Sequence, residues 1–145
     1  MNMKDFWCNS ALTADCVIFS ENFDSIVLIK RKNPPFQGQY VLPGGFVDKK
    51  ESVEDACIRE VKEETNLDIK NLTFIDTYSK PDRDPRGRVV SFAFLAKADL
   101  NQLKAGDDAS AVEVVKDWRD VEIGFDHKNI IEDAIWKIPI IINNQ

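Results

Sequence analysis

Three features of the chain predict an α/β fold with a mixed sheet. Runs rich in β-branched and aromatic residues recur at 14–20, 25–31, 72–78 and 89–98. A strong helical pattern at 52–66 falls between the second and third of these, and another at 127–137 follows the last. Strands and helices interleaved in this order favour helices layered on a sheet.

Each element has a local reason. Residues 14–20 and 25–31 are joined by the polar turn Glu21-Asn22-Phe23-Asp24. Residues 32–39 carry Pro34, Pro35 and Gly38 and read as a loop. A short strand at 40–42 is stopped by Pro43-Gly44-Gly45. Ser52 opens the helix at 52–66, and Asp55, three residues on, makes the start resemble a capping box. The strands at 72–78 and 89–98 flank a loop at 79–88, and a short strand is expected at 111–115. Ile130, Ile131, Ala134, Ile135 and Ile138 stand at helical spacing in the last helix. Trp7, Trp118 and Trp136 are read as packing residues.

The totals narrow the class of function. At 145 residues the chain fits one domain, 1–145, able to bury a core without staples. The 43% hydrophobic and 30% charged content is that of a folded, water-soluble domain. A net charge of -6 argues against nucleic-acid or membrane partners held by bulk electrostatics. It leaves room for a small anion held by a local basic cluster. Cys8, Cys16 and Cys57 have no paired spacing, which suggests reduced thiols and a cytoplasmic location. Cys57 reads as a small buried apolar residue. No apolar run is long enough for a signal peptide or a membrane span.

The helix at 52–66 holds the strongest chemical signal. On a helical wheel Val53, Ala56, Cys57 and Val61 define the apolar side. Glu60 and Glu64 fall on that side, with Glu63 beside them, while Asp55, Ile58, Lys62 and Thr65 lie opposite. Carboxylates aimed at the protein body are costly, and three at this spacing repel one another. A divalent cation would offset both costs, and oxygen-rich sites suit Mg²⁺ or Mn²⁺. On the helix alone, a solvated acidic face remains an equal alternative.

The surroundings decide between them. Gly45 is followed after five residues by Glu51, and after seven more by Arg59-Glu60-Val61-Lys62-Glu63-Glu64-Thr65-Asn66-Leu67. This pattern resembles the Nudix box. The resemblance implies an α/β/α sandwich whose loop-helix-loop binds Mg²⁺ (or Mn²⁺). It implies that Glu60 and Glu64 are the main metal ligands, with Glu63 a further one and the Gly44 carbonyl facing the metal. Gly45 would permit the close approach, Glu51 would support the cluster, and Arg59 would hold the glutamates. Glu63, Glu64, Arg59 and Glu51 are thus the candidate catalytic residues. Asn66 stands where the family usually has glycine. Asparagine tolerates the left-handed conformation expected at that helix end.

Residues 79–88, Ser-Lys-Pro-Asp-Arg-Asp-Pro-Arg-Gly-Arg, concentrate four basic residues in an acidic chain. Arginine forks match phosphate oxygens. The plain alternative is a hairpin loop in which Asp82 and Asp84 neutralise Arg83 and Arg86. With the box, the loop resembles the ADP-ribose pyrophosphatase group, which carries a proline about 15 residues past the box. Pro81 follows Asn66 by 15. Residues 30–36 and Phe125-Asp126-His127 resemble the same group. The resemblance implies a small-molecule nucleoside diphosphate substrate, ADP-ribose first, split to AMP and ribose 5-phosphate. Arg31, Arg83, Arg86, Arg88 and Phe46 are the candidate substrate-binding residues. Phe36 and Phe46 are open between flanking a base or ribose and packing in the core. His127 is open between starting the last helix and touching substrate.

The group often places a further glutamate, a base or metal ligand, near position 111. Here Ala111 stands there, and Asp108, Glu113 or a box carboxylate is left to serve. Two rival readings follow: another nucleoside diphosphate derivative as substrate (NADH, a dinucleoside polyphosphate, an oxidised nucleotide), or a non-catalytic ADP-ribose sensor. A homodimer is one reading of the apolar segment around Phe6 and Trp7.

Overall fold

The computed structural model describes residues 2–6, 8–104 and 111–143. Seven strands form one mixed sheet: β1 (Ala11–Ser20), β2 (Ile26–Lys30), β3 (Tyr40–Val41), β4 (Gly44–Phe46), β5 (Thr73–Tyr78), β6 (Val89–Ala98) and β7 (Val112–Val115). Three helices accompany them: α1 (Val53–Thr65), α2 (His127–Ile135) and α3 (Ile138–Asn143). The main strand order is β3-β2-β1-β6-β5, with β4 also on β1 and β7 also on β2. The β1–β6 pair is parallel, from Ala11 beside Val89 to Ser20 beside Ala98. The other strand pairs are antiparallel.

The two faces of the sheet follow from the two-residue period of a strand. In β1, Ala14, Cys16 and Ile18 pack with Ala56, Cys57 and Val61 of α1. Val17 and Phe19, between them, pack with Ile130, Ile131 and Ala134 of α2. β6 divides likewise, with Phe94 and Ala96 towards α1 and Ala93 and Leu95 towards α2. A strand covered on both faces needs a continuous apolar run, which these are. The expected α/β/α sandwich is therefore present.

The ends of α1 behave as expected. Ser52 caps it by accepting from the Asp55 N–H at 3.1 Å. Asn66 takes φ 65°, ψ 9°, and its N–H donates to the Lys62 carbonyl at 3.0 Å. Cys57 is fully buried.

Four expectations are corrected. The chain does not leave the sheet at Pro43-Gly44-Gly45. β3 ends at Val41, two residues before Pro43, and Gly44–Phe46 pairs with residues 13–15 of β1. Thr65 is buried instead of facing out. Its hydroxyl donates to the Val61 carbonyl and accepts from the Leu67 N–H, so the burial leaves no polar group unmet. The last helical pattern splits in two, and α3 restarts at Ile138 with Pro139 in its first turn, where a missing N–H costs little. Trp136, at the junction, is 84% exposed and packs little. Trp118 is buried, as expected, while Trp7 lies outside the described residues.

Candidate active site

The β4 strand carries the box residues to α1. A side chain on Gly45 would strike the Glu60 carboxylate, and one on Gly44 would strike the Ala14 carbonyl and Asp15. Glycine at 45 lets α1 approach the strand, and glycine at 44 lets the strand lie close against β1. The Gly44 N–H donates to Glu64 Oε1 at 2.9 Å.

Arg59 organises the other carboxylates. Its Nε donates to Glu51 Oε2 at 3.0 Å, and its Nη1 to Glu60 Oε1 at 2.9 Å. Nη1 also lies 3.3 Å from Glu63 Oε2, and Nη2 donates to the Phe46 carbonyl at 3.1 Å. The Arg59 bonds and the Asp48 N–H hold Glu51 down at a pKa of about 2. Glu60 moves the other way, raised by burial despite Arg59. Glu64 is pushed up to about 8, chiefly by burial, against the lowering effect of the Gly44 N–H. Glu63 is exposed.

Among the described residues no three Asp, Glu, His or Cys side chains stand ready-made around a cation. The donor set nonetheless suits one. Glu60 and Glu64 are carboxyls that burial makes reluctant to ionise, the condition a nearby divalent cation reverses.

A cleft of about 230 Å³ opens beside Glu64, and its wall joins both halves of the site. Gly44, Gly45, Phe46 and Glu64 contribute from the box, and Arg31, Arg83 and Arg86 from elsewhere. Arg31 donates from Nε to the Pro35 carbonyl at 2.7 Å. Arg83 makes a two-pronged pair with Asp126, at 2.8 and 2.6 Å, and its side chain is 3% exposed. Arg86 is paired with buried Asp84 at 2.7 Å, and its guanidinium lies 5.0 Å from the Phe46 ring and 5.2 Å from the Phe125 ring. The plain alternative for this loop therefore holds for Arg86, whereas Arg83 uses Asp126 instead of Asp82. Arg88 is exposed and lies away from the cleft wall.

Phe46 is 45% exposed at the cleft, not core. Phe36 packs 4.7 Å from Phe125. Glu113 receives the Tyr40 hydroxyl and is not on the cleft wall, so it is poorly placed as a base. Asp108 lies outside the described residues.

Asp15 escaped the sequence reading, while Asp84 and Phe125 were read there only as a counter-charge and as part of a resemblance, not as cleft residues. Asp15 carried a usable signal, since it is one charge inside the apolar run of β1. Asp15 is buried, and the Ser91 hydroxyl donates to it. Asp84 sits two residues from the Arg86 it pairs with, so that contact was legible, whereas the packing of Phe125 on Phe36 and beside Arg86 joins distant positions. His127 starts α2 and also lines the cleft.

A mixed sheet between helices, with a glutamate-rich helix seated on a Gly-Gly strand, defines a Nudix-class hydrolase. The chain belongs to the NUDIX family, whose domain profile matches residues 10–134. It is 46% identical over 132 residues to the ADP-ribose pyrophosphatase of Methanocaldococcus jannaschii, covering 90% of this chain and 77% of that one. The NUDIX domain of Shewanella oneidensis NrtR, solved with ADP ribose, is similar with a TM-score of 0.83 and 28% identity, over 95% of this chain and 94% of that chain. A bifunctional NMN adenylyltransferase/ADP ribose pyrophosphatase from Francisella tularensis, solved with AMP and a Mn ion, gives 0.78 and 29%, over 93% of this chain and 44% of that chain.

Proposed function

We propose that this chain hydrolyses the diphosphate of ADP-ribose, adding one water to give AMP and ribose 5-phosphate. The carrying observation is the shared cleft. Glu64 and the Gly-Gly strand form one side, and Arg31 and Arg86 stand within the same cavity. A diphosphate needs both: positive forks for its outer oxygens and metal-ready carboxylates at the bond to be cut. The similarity to a relative bearing the name ADP-ribose pyrophosphatase supports the same substrate.

In this reading Glu60, Glu63, Glu64 and the Gly44 carbonyl hold Mg²⁺ or Mn²⁺. The bound ion neutralises phosphate charge and lowers the pKa of water. Glu51 and Arg59 hold the carboxylates in place. A box carboxylate, Glu63 or Glu64, accepts the proton from water, since Ala111 offers none. Phe46 flanks the base or ribose, and Arg83 stiffens the loop that presents Arg86.

The reading treats residues 1–145 as one domain, located in the cytoplasm, with no nucleic-acid or membrane partner. Among the described residues no helix is long and apolar enough to cross a membrane. Whether two copies associate is a question for sedimentation.

The test is product analysis with a panel of nucleoside diphosphate compounds, with Mg²⁺ or Mn²⁺ and with EDTA. EDTA-sensitive conversion of ADP-ribose to AMP, faster than any other conversion, is the expected result. Preference for NADH, a dinucleoside polyphosphate or an oxidised nucleotide would overturn the substrate and keep the centre. A second reading has its own support in the NrtR domain solved with ADP ribose. Tight ADP-ribose binding without cleavage in saturating metal would favour that sensing role.

A further inference from the structure

Two buried polar groups in the cleft face each other without touching. His127 Nε2 lies 3.9 Å from Asp15 Oδ2, too far for a hydrogen bond. Both side chains are nearly enclosed, at 6% and 9% exposure, and both line the cavity.

The other histidine nitrogen fixes what is on offer. Nδ1 accepts from the Leu42 N–H at 3.0 Å, which requires a bare Nδ1. A ring that accepts at Nδ1 is neutral and carries its one proton on Nε2, and burial favours that neutral form. The Nε2–H is therefore a donor locked in direction, because the ring is tied to the backbone of residue 42. Asp15 is fixed too, by the Ser91 hydroxyl and by its place in β1.

A fixed donor beside a fixed acceptor suits one kind of group. A phosphate oxygen would meet the Asp15 carboxylate and be repelled. A hydroxyl can accept from Nε2–H and donate to Asp15 at once. An oxygen about 2.8 Å from each atom spans the observed gap. We propose that His127 and Asp15 form a hydroxyl-recognition pair, which selects ligands by a sugar hydroxyl presented at the floor of the cleft. The pair acts on specificity and not on the proton transfers of hydrolysis. The inference rests on the reading that the cleft takes a sugar-bearing diphosphate, and it adds a determinant of which sugars are admitted.

Two substitutions separate the ring's two jobs. His127→Asn places an amide oxygen near the Nδ1 position and removes the cleft donor. His127→Gln places an amide N–H near Nε2 and abandons Leu42. The probes are AMP and its 2′-deoxy and 3′-deoxy forms, with ribose 5-phosphate and its 2-deoxy and 3-deoxy forms. Binding is read by calorimetry, and folding by thermal melting.

Wild-type protein is expected to bind one deoxy form about tenfold more weakly than its parent, the worth of a hydrogen bond to a charged or fixed partner. His127→Asn is expected to melt with the wild type and bind that parent about tenfold more weakly. Its binding of the matching deoxy form should not change. Equal wild-type binding of every parent and deoxy form overturns the proposal, and needs no variant to fold. So does a His127→Asn loss that is the same for parent and deoxy forms. Absence of ADP-ribose turnover with the hydroxyl preference intact would sink the proposed substrate and leave this pair standing.

Discussion

The box helix and the arginine loop are both charged, yet their charges are handled in opposite ways. On α1, one arginine serves three carboxylates. Arg59 reaches Glu51, Glu60 and Glu63, while Glu64 is left to a backbone N–H. The helix thus keeps two carboxyl groups, Glu60 and Glu64, aimed inward with too little positive charge to meet them both as anions. In the loop at 79–88, two of the arginines are each matched to a carboxylate, Arg83 to Asp126 and Arg86 to Asp84. The first region is built short of positive charge and waits for a cation. The second has Arg83 and Arg86 already paired, and these act as much on the shape of the cleft as on its charge.

The comparison is broken most sharply at Glu64. Glu64→Gln should lower kcat roughly a thousandfold, the scale of losing a metal-held charge at the reacting centre. It should not weaken the metal-free fold. Glu64 titrates near 8 in the folded protein, above an ordinary glutamate. Its contribution is intact below the unfolded pKa and is lost as pH rises through about 8, when the carboxyl must ionise in a buried place. The neutral amide of the variant has no such loss. Melting curves without metal at pH 5 and pH 9 should therefore show wild type falling further than the variant. Addition of Mn²⁺ at pH 9 should raise only the wild type. A variant that melts below wild type at pH 9 would mean that the ionised Glu64 carboxylate, accepting from the Gly44 N–H, stabilises the metal-free fold and is not a charge in waiting.

Arg59→Ala sharpens the same side. Glu51 and Glu60 lose the partner that orders them, and activity should fall about 10- to 100-fold, as for other groups that orient metal ligands. Arg59→Lys should recover little of it, because one ammonium cannot bridge Glu51, Glu60 and the Phe46 carbonyl together. Full activity in the lysine variant would reduce Arg59 to a simple counter-charge.

In the loop the two paired arginines should separate by assay. Arg83 is nearly enclosed, and Arg83→Ala strands Asp126 beside it. Breaking such a pair costs about 3 kcal/mol, roughly 6–12 °C of melting temperature in a domain of this size. Arg86 has 37% of its side chain exposed and stacks on two rings at the cleft. Arg86→Ala also strands an enclosed carboxylate, Asp84 at 2% exposure, and should lower the melting temperature too, but it alone should raise KM for ADP-ribose about tenfold. Equal effects of the two on KM would mean that both forks reach the substrate.

The two regions also differ in how far the sequence exposes them. Within α1 the geometry is set by residue spacing alone. The inward face of Glu60 and Glu64, the cap at Ser52 and the left-handed Asn66 all follow from positions a few residues apart. The alternating faces of β1 and β6 are legible for the same reason. Asp126 lies 43 residues beyond Arg83, and nothing in the loop's composition selects it over neighbouring Asp82. The β4 strand was hidden because Pro43 and two glycines are ordinary stop signals, whereas here Gly45 admits α1 and Gly44 lies close against β1. Thr65 shows the limit of a helical wheel near a helix end, where a side-chain hydroxyl overrides it, and Trp136 shows that ring size alone does not bury a residue where one helix gives way to the next.

Arg88 should give the smallest effect, and it tests the idea that loop position alone does not make a phosphate ligand. Its backbone carbonyl accepts the Ala11 N–H at 3.0 Å and so helps start the β1–β6 pair. Any residue at 88 presents the same backbone carbonyl. Its side chain is exposed and away from the cleft wall. Arg88→Ala should therefore leave melting temperature unchanged and KM for ADP-ribose within about twofold, since a distant exposed charge is largely screened. Assays at low salt and at about 0.15 M salt distinguish two kinds of departure. A KM rise that disappears with salt would make Arg88 a steering charge. A rise that persists would place it in contact with the bound diphosphate, and the loop would then have to close over the cleft when substrate arrives.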